Sequence, residues 1–235
     1  MSEGAVNSGR LEAPATHGVS PALHHQFEDI EQQQEAGNFG MWIFLATEML
    51  FFGAIFTAYI MYRVMYYPGF EAGSRGLEAD LGATMTFVLL ASSFTMAMSV
   101  HAAHAGKRKM LVGFLFATML LGIAFLGIKF TEYTHKWHEQ LVPGLNFHPA
   151  PESLRGAPEH AVELFMTFYF FMTGLHALHM IIGIGVLGVM AILAWRGRIS
   201  AENYNRVEAA GLYWHFVDII WIYLFPLLYL VGGRY

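Results

Sequence analysis

Residues 39–62, FGMWIFLATEMLFFGAIFTAYIMY, decide the fold. About 20 apolar residues rising 1.5 Å each cross the roughly 30 Å hydrocarbon layer of a bilayer, and this stretch is long enough. Its only charged side chain is Glu48. Counted from Phe39, Glu48 lies about 13 Å along the helix axis, near mid-depth, where an acid costs on the order of 2.5–3.5 kcal/mol on insertion scales. Intramembrane acids usually serve a proton, ion or substrate path, so Glu48 reads as a buried proton-active carboxyl; structural hydrogen bonding between helices is the competing reading.

The rest of the chain repeats the pattern. Of its 235 residues 55% are hydrophobic, and mean hydropathy is +0.42, which indicates a polytopic membrane protein. The spacing predicts an all-α, five-helix membrane bundle with spans at about 39–62, 81–105, 110–133, 162–195 and 209–231, forming one domain over 38–235. Residues 1–37 lack the apolar core of a signal peptide and read as a mobile tail. His17, His24 and His25 sit there among acids, a candidate proton-collecting group.

Zero cysteines exclude disulfides, iron–sulfur clusters and thiolate copper centres on these residues. The net charge of -5 comes with no basic surface of the kind nucleic acid requires. Twelve histidines invite a haem or metal reading, but no three-ligand spacing appears and mid-depth histidines occur only in the fourth and fifth spans. The sequence therefore predicts no metal and no catalytic residue on this chain.

Pro68, Gly69, Gly73 and Gly76 read as helix breakers in a loop after the first span. Lys129, Glu132, His135 and His138 read as residues winding out of the membrane at the end of the third span. Pro226 predicts a kink in the fifth. Short loops carrying Lys107, Arg108, Lys109, Arg196, Arg198 and Arg206 place the N-terminus in the cytoplasm and the C-terminus outside by the positive-inside rule. His176 with His179, and His215 with Asp218, are spaced i, i+3 and share helix faces near mid-depth, as buried polar residues that meet other helices. Glu48 falls in the same layer, so a His–Asp or His–Glu contact is expected there.

Three segments together resemble one family. WIFLATEMLFF around Glu48, TGLHALHMIIG around His176 and His179, and EAAGLYWHFVDIIWIYLFPLLYL around His215 and Asp218 are similar to subunit III of the haem-copper cytochrome c oxidases. The matching motif positions are Trp42, Gly174, Gly183, Glu208, Tyr213, Trp214 and Trp221. The resemblance implies an accessory subunit of the aerobic respiratory chain, in a bacterial inner membrane, that holds no redox cofactor. Haem and copper belong to its partners, subunits I and II, whose proton uptake and durability it supports. It also implies that Glu48 is a reactive interior carboxyl, that phospholipid binds tightly, and that the complex can join a larger respiratory assembly. The family's long form has two further N-terminal helices that this sequence lacks; the five-span form occurs in bacterial oxidases, quinol oxidases included. A quinol oxidase subunit is thus the alternative, and a stand-alone proton-coupled transporter is the alternative of another class.

Overall fold

A computed structural model describes residues 30–199, 204–230 and 232. The helices are α1 (Ile30–Met65), α2 (Tyr67–Arg75), α3 (Ala79–His104), α4 (Arg108–His138), α5 (Pro151–Leu154), α6 (Glu159–Trp195) and α7 (Asn205–Phe225). A π-helical turn, Pro226–Leu230, prolongs α7. Five of these, α1, α3, α4, α6 and α7 with its π turn, are long and apolar enough to cross a membrane. The predicted all-α bundle of five spans is the observed fold. Between α4 and α5 lies one short antiparallel hairpin, β1 (Leu141–Val142) and β2 (Asn146–Phe147), turned at Gly144 with φ +70°.

Packing follows from where the large side chains go. α3, α4, α6 and α7 form a closed four-helix group, in which α7 is the most buried and α1 lies outermost, against α6 and α7. Gly183 on α6 lets Trp214 of α7 approach to 3.0 Å of where a Cβ would stand, and Gly122 on α4 receives the other edge of the same indole. Small residues at such crossings are what membrane helices use to gain contact, because lipid supplies no hydrophobic drive between them. Trp214 then donates its indole N–H to Ser92 Oγ at 2.9 Å, and Trp221 donates to Thr86 Oγ1 at 3.1 Å, tying α7 to α3.

Two expectations are corrected. α1 opens at Ile30, so 30–37 is helical where a tail is predicted; the helix-favouring Glu, Gln and Ala of this stretch extend α1 beyond its apolar part. Residues 1–29, with His17, His24 and His25, lie outside the described residues. Gly69 and Gly73 do not break a helix: they lie within α2, which ends at its cap Gly76 as expected and whose Pro68 sits in the first turn, where a missing N–H costs nothing. Gly69 and Gly73, four apart, face α6. A Cβ on Gly69 would collide with Ala161, and one on Gly73 with the Phe165 ring. At Pro226 the α-helix changes to a π turn, with the proline, which has no N–H to donate, as its first residue.

Candidate functional site

Glu48 and His179 meet. Glu48 Oε2 lies 3.2 Å from His179 Nε2, between α1 and α6, with the two side chains 22% and 12% exposed. His179 Nδ1 is 2.9 Å from the Leu175 carbonyl one turn back. A carbonyl only accepts, so Nδ1 carries a hydrogen. Nε2 then has two options: it accepts from a protonated Glu48, or it donates to a Glu48 carboxylate as part of an imidazolium. Both arrangements are neutral overall and hold one proton between the two side chains. That neutrality makes the acid tolerable at lipid depth. The Phe52 ring, 1% exposed, stands edge-on to the imidazole at 5.4 Å, and the Tyr213 hydroxyl donates to the His179 carbonyl at 3.1 Å.

The other predicted polar residues do not join this pair. The contacts of Gly183 with Trp214 and of His176 with Trp221 define the antiparallel register of α6 on α7, which puts Asp218 level with His179. Yet His215 Nδ1 pairs with Ser93 Oγ on α3 at 2.7 Å, so the i, i+3 spacing of His215 and Asp218 yields no His–Asp contact. Asp218 lies beside Ser93 with neither carboxyl oxygen well placed for a hydrogen bond, since that hydroxyl is turned to His215. His176 is 1% exposed and neither ring nitrogen has a protein partner; the rings of Phe125, nearly perpendicular to it, and Trp221, at 5.4 and 5.2 Å between centroids, flank it instead. Unpaired buried polar groups are uncommon and costly, so these two are the strained points of the core.

The motif residues divide by role. Gly183, Trp214 and Trp221 pack the helices, Tyr213 braces the His179 turn, and Gly174 has only the Tyr133 hydroxyl within reach at 3.8 Å. Glu208 sits in the first turn of α7, where a negative charge suits the helix dipole. Trp42 is exposed and lines an apolar groove between α1 and α7 with Leu45, Phe52, Phe216, Tyr223 and one edge of His215. Among the described residues no group of three or more His, Asp or Glu side chains is placed to hold a metal ion.

Sequence reasoning missed the most polar cluster in the core. Lys129 and Glu132 do not wind out: they are 2% and 4% exposed, because α4 continues to His138. Lys129 Nζ donates to Glu132 Oε2 at 2.8 Å, to the Tyr229 hydroxyl at 2.9 Å and to the Tyr169 hydroxyl at 3.0 Å. Tyr229 in turn donates to Glu132 Oε1 at 2.8 Å. Every ammonium hydrogen is used. The signal was present as spacing: Leu115, Thr118, Gly122, Phe125, Lys129, Glu132 and Lys136 recur every three or four residues and form one buried face.

Comparison with known proteins agrees with this architecture. The family described as "Cytochrome c oxidase subunit III" matches residues 24–139 and 157–233. Quinol oxidase subunit 3 of Bacillus subtilis is 32% identical, covering 93% of this chain and 97% of that protein. The Bacillus spizizenii protein of the same name is 31% identical over the same shares. Cytochrome bo(3) ubiquinol oxidase subunit 3 of Pseudomonas aeruginosa is 29% identical, covering 89% and 93%. With all five spans inside the matched segments, the chain belongs to the cytochrome c oxidase subunit III family.

Proposed function

We propose that this chain is the accessory, non-redox subunit of a proton-pumping haem-copper oxidase that takes electrons from cytochrome c, and that it supports proton uptake and stability of the catalytic subunit. Family membership makes it a multi-pass membrane protein and an oxidase subunit. The observation that carries the proton role is the Glu48–His179 contact, 3.2 Å between Oε2 and Nε2 in the middle of two membrane-spanning helices. Haem and copper sit on partners, subunits I and II, with none on this chain. The N-terminus is cytoplasmic and the C-terminus outside a bacterial inner membrane, following the basic short loops. The Trp42–His215 groove, of about 460 Å³ and almost wholly apolar, suits the acyl chain of a phospholipid. Association into a larger respiratory assembly is part of the same reading.

A quinol donor is the second reading, favoured by relatives that carry quinol oxidase names. The wording of YWHFVDIIW and FPLLYL favours cytochrome c. Purifying the complex by a tag on this chain and supplying reduced cytochrome c or a short-chain quinol separates them, since only one donor will sustain oxygen uptake. Recovery of this chain without any haem-containing partner overturns both. Proton-coupled uptake by the chain alone in vesicles, lost on Glu48→Gln, supports a stand-alone transporter instead.

Glu48→Gln tests the proton role directly. The amide N–H still donates to His179 Nε2, so the helix contact survives while the transferable proton is gone. The expected result is normal assembly and haem spectrum with proton uptake slowed several-fold. The effect stays below the roughly 100-fold that a direct general acid loses, because Glu48 lies on an accessory chain. Proton uptake at the wild-type rate would remove Glu48 from the path.

A further inference from the structure

The Lys129 cluster plays no part in the Glu48 site, and three features make it more than a buried ion pair. The first is a cavity of about 210 Å³ at the end of α4, lined by Glu78, Leu81, Thr131, Glu132, His135 and Lys136. Five of those six side chains are polar, and there is room for several waters, each occupying roughly 30 Å³ in the liquid. Glu132 therefore faces two ways: into the core toward Lys129, and into a space that Glu78 and His135 connect to the surface. The second is the surround of Lys129. Its ammonium lies 4.6 to 5.6 Å from the ring centroids of Tyr169, Tyr133, Trp221 and Tyr229. Tyr229 meets the ammonium end-on through its hydroxyl, while the rings of Tyr133, Tyr169 and Trp221 stay beside it whether or not its counter-charge is present. The third is hydrogen-bond redundancy. If Glu132 becomes neutral, Lys129 still has the Tyr169 and Tyr229 hydroxyls as acceptors.

We propose that Lys129, Glu132, Tyr169 and Tyr229 form a proton-storing site, in which Glu132 takes its proton from water in the cavity between Glu78 and His135. In the loading step a hydronium ion in the cavity gives its proton to a Glu132 oxygen and leaves as water. No bond within the chain breaks, and Lys129 keeps its three hydrogens. The cluster passes from neutral to singly positive, and that charge rests on the ring faces and phenol oxygens. The groups that set the equilibrium are Lys129, His135 and Lys136 on α4, Glu78 at the start of α3, Tyr169 on α6 and Tyr229 in the π turn. Lys136 is held away from Glu132 by Glu139 and the Gly76 carbonyl, so it does not replace Lys129 as the carboxylate's partner. The site opens toward the membrane face at which α4 ends, opposite the face of the basic loops. It is separate from the Glu48–His179 proton and independent of the electron donor.

Infrared difference spectroscopy on the intact complex tests this, with the Glu132 carboxyl identified as the band lost in Glu132→Gln. Acidifying the medium on the α4-end face should convert the carboxylate band into a protonated-carboxyl band, which shifts in D2O within the mixing time. Thr131→Trp, which fills the cavity, should slow that D2O shift at least tenfold and leave the band itself in place. If Glu132→Gln fails to assemble, Tyr229→Phe identifies the band by raising its frequency, because the phenol no longer donates to the carboxyl. A carboxylate that persists under acidification overturns the proposal, as does D2O exchange indifferent to Thr131→Trp.

Discussion

Replacing Lys129 with methionine is expected to destabilise the protein by about 3–5 kcal/mol, the range for removing one partner of a buried ion pair. The side chains of Lys129 and Glu132 are each 3% exposed, so Lys129→Met leaves a carboxylate in the bundle core without its cation, met by the Tyr229 hydroxyl and the polar cavity on its other side. Glu132→Leu is expected to cost less, because the ammonium keeps the Tyr169 and Tyr229 hydroxyls as acceptors. The double replacement should recover most of either loss, because the mutual desolvation of the two charges disappears with them. Recovery stays incomplete by about 1 kcal/mol, since the Tyr169 and Tyr229 hydroxyls lose their ionic partners. Thermal unfolding of the purified complex, followed by release of this subunit, measures all three variants. Single replacements as stable as wild type would show that the pair is not buried in the assembled membrane protein.

The second large effect belongs to α2. Gly73→Leu should lower stability by at least the ~1–3 kcal/mol typical of overpacking, and should detach α2 from α6. The Phe165 ring occupies the space a side chain would need, and it cannot withdraw: it is fully buried and contacts Phe70 and Tyr59 at 5.6 and 6.4 Å. A milder pair makes the cause visible. Gly73→Ala alone should destabilise, while Gly73→Ala with Phe165→Leu should lose less than the sum of the two, because the smaller side chain vacates the collision. Gly53→Ala is the control: nothing lies within 4 Å of its Cβ position, and in a helix interior alanine gains up to about 1 kcal/mol over glycine. If Gly73→Ala behaves like Gly53→Ala, close approach is not the reason for the glycine.

The spans were legible because their signal is additive: long apolar runs announce membrane helices whatever they touch. The Glu48–His179 contact was legible as depth, since both residues sit near the middle of helices of known direction, but depth does not choose partners. Asp218 shares that level and still stands apart, because helix rotation turns it toward Ser93 on α3. α2 was illegible for a chemical reason. Glycine four residues from glycine reads as chain breaking when the context is taken as water, and as helix contact when the context is lipid and another helix. Lys129 and Glu132 were misread because charge was weighed ahead of spacing. The buried face of α4 runs through both without interruption, and two opposite charges three residues apart on it cancel each other locally.

The π turn at the end of α7 bears on how the protein is made. Tyr59 of α1 donates to the Leu227 carbonyl at 2.9 Å, Ser74 of α2 to Leu228 at 2.7 Å, and Arg75 to Gly232 at 2.6 Å. α1 and α2 are thus fastened by residues translated some 150 positions after them. Until those carbonyls arrive, the Tyr59 hydroxyl lacks its acceptor and α1, already the least enclosed of the five spans, stays loosely held at the bundle's edge. α1 therefore takes its seat only after the π turn has been made, and a nascent chain halted before Leu227 would leave it undocked.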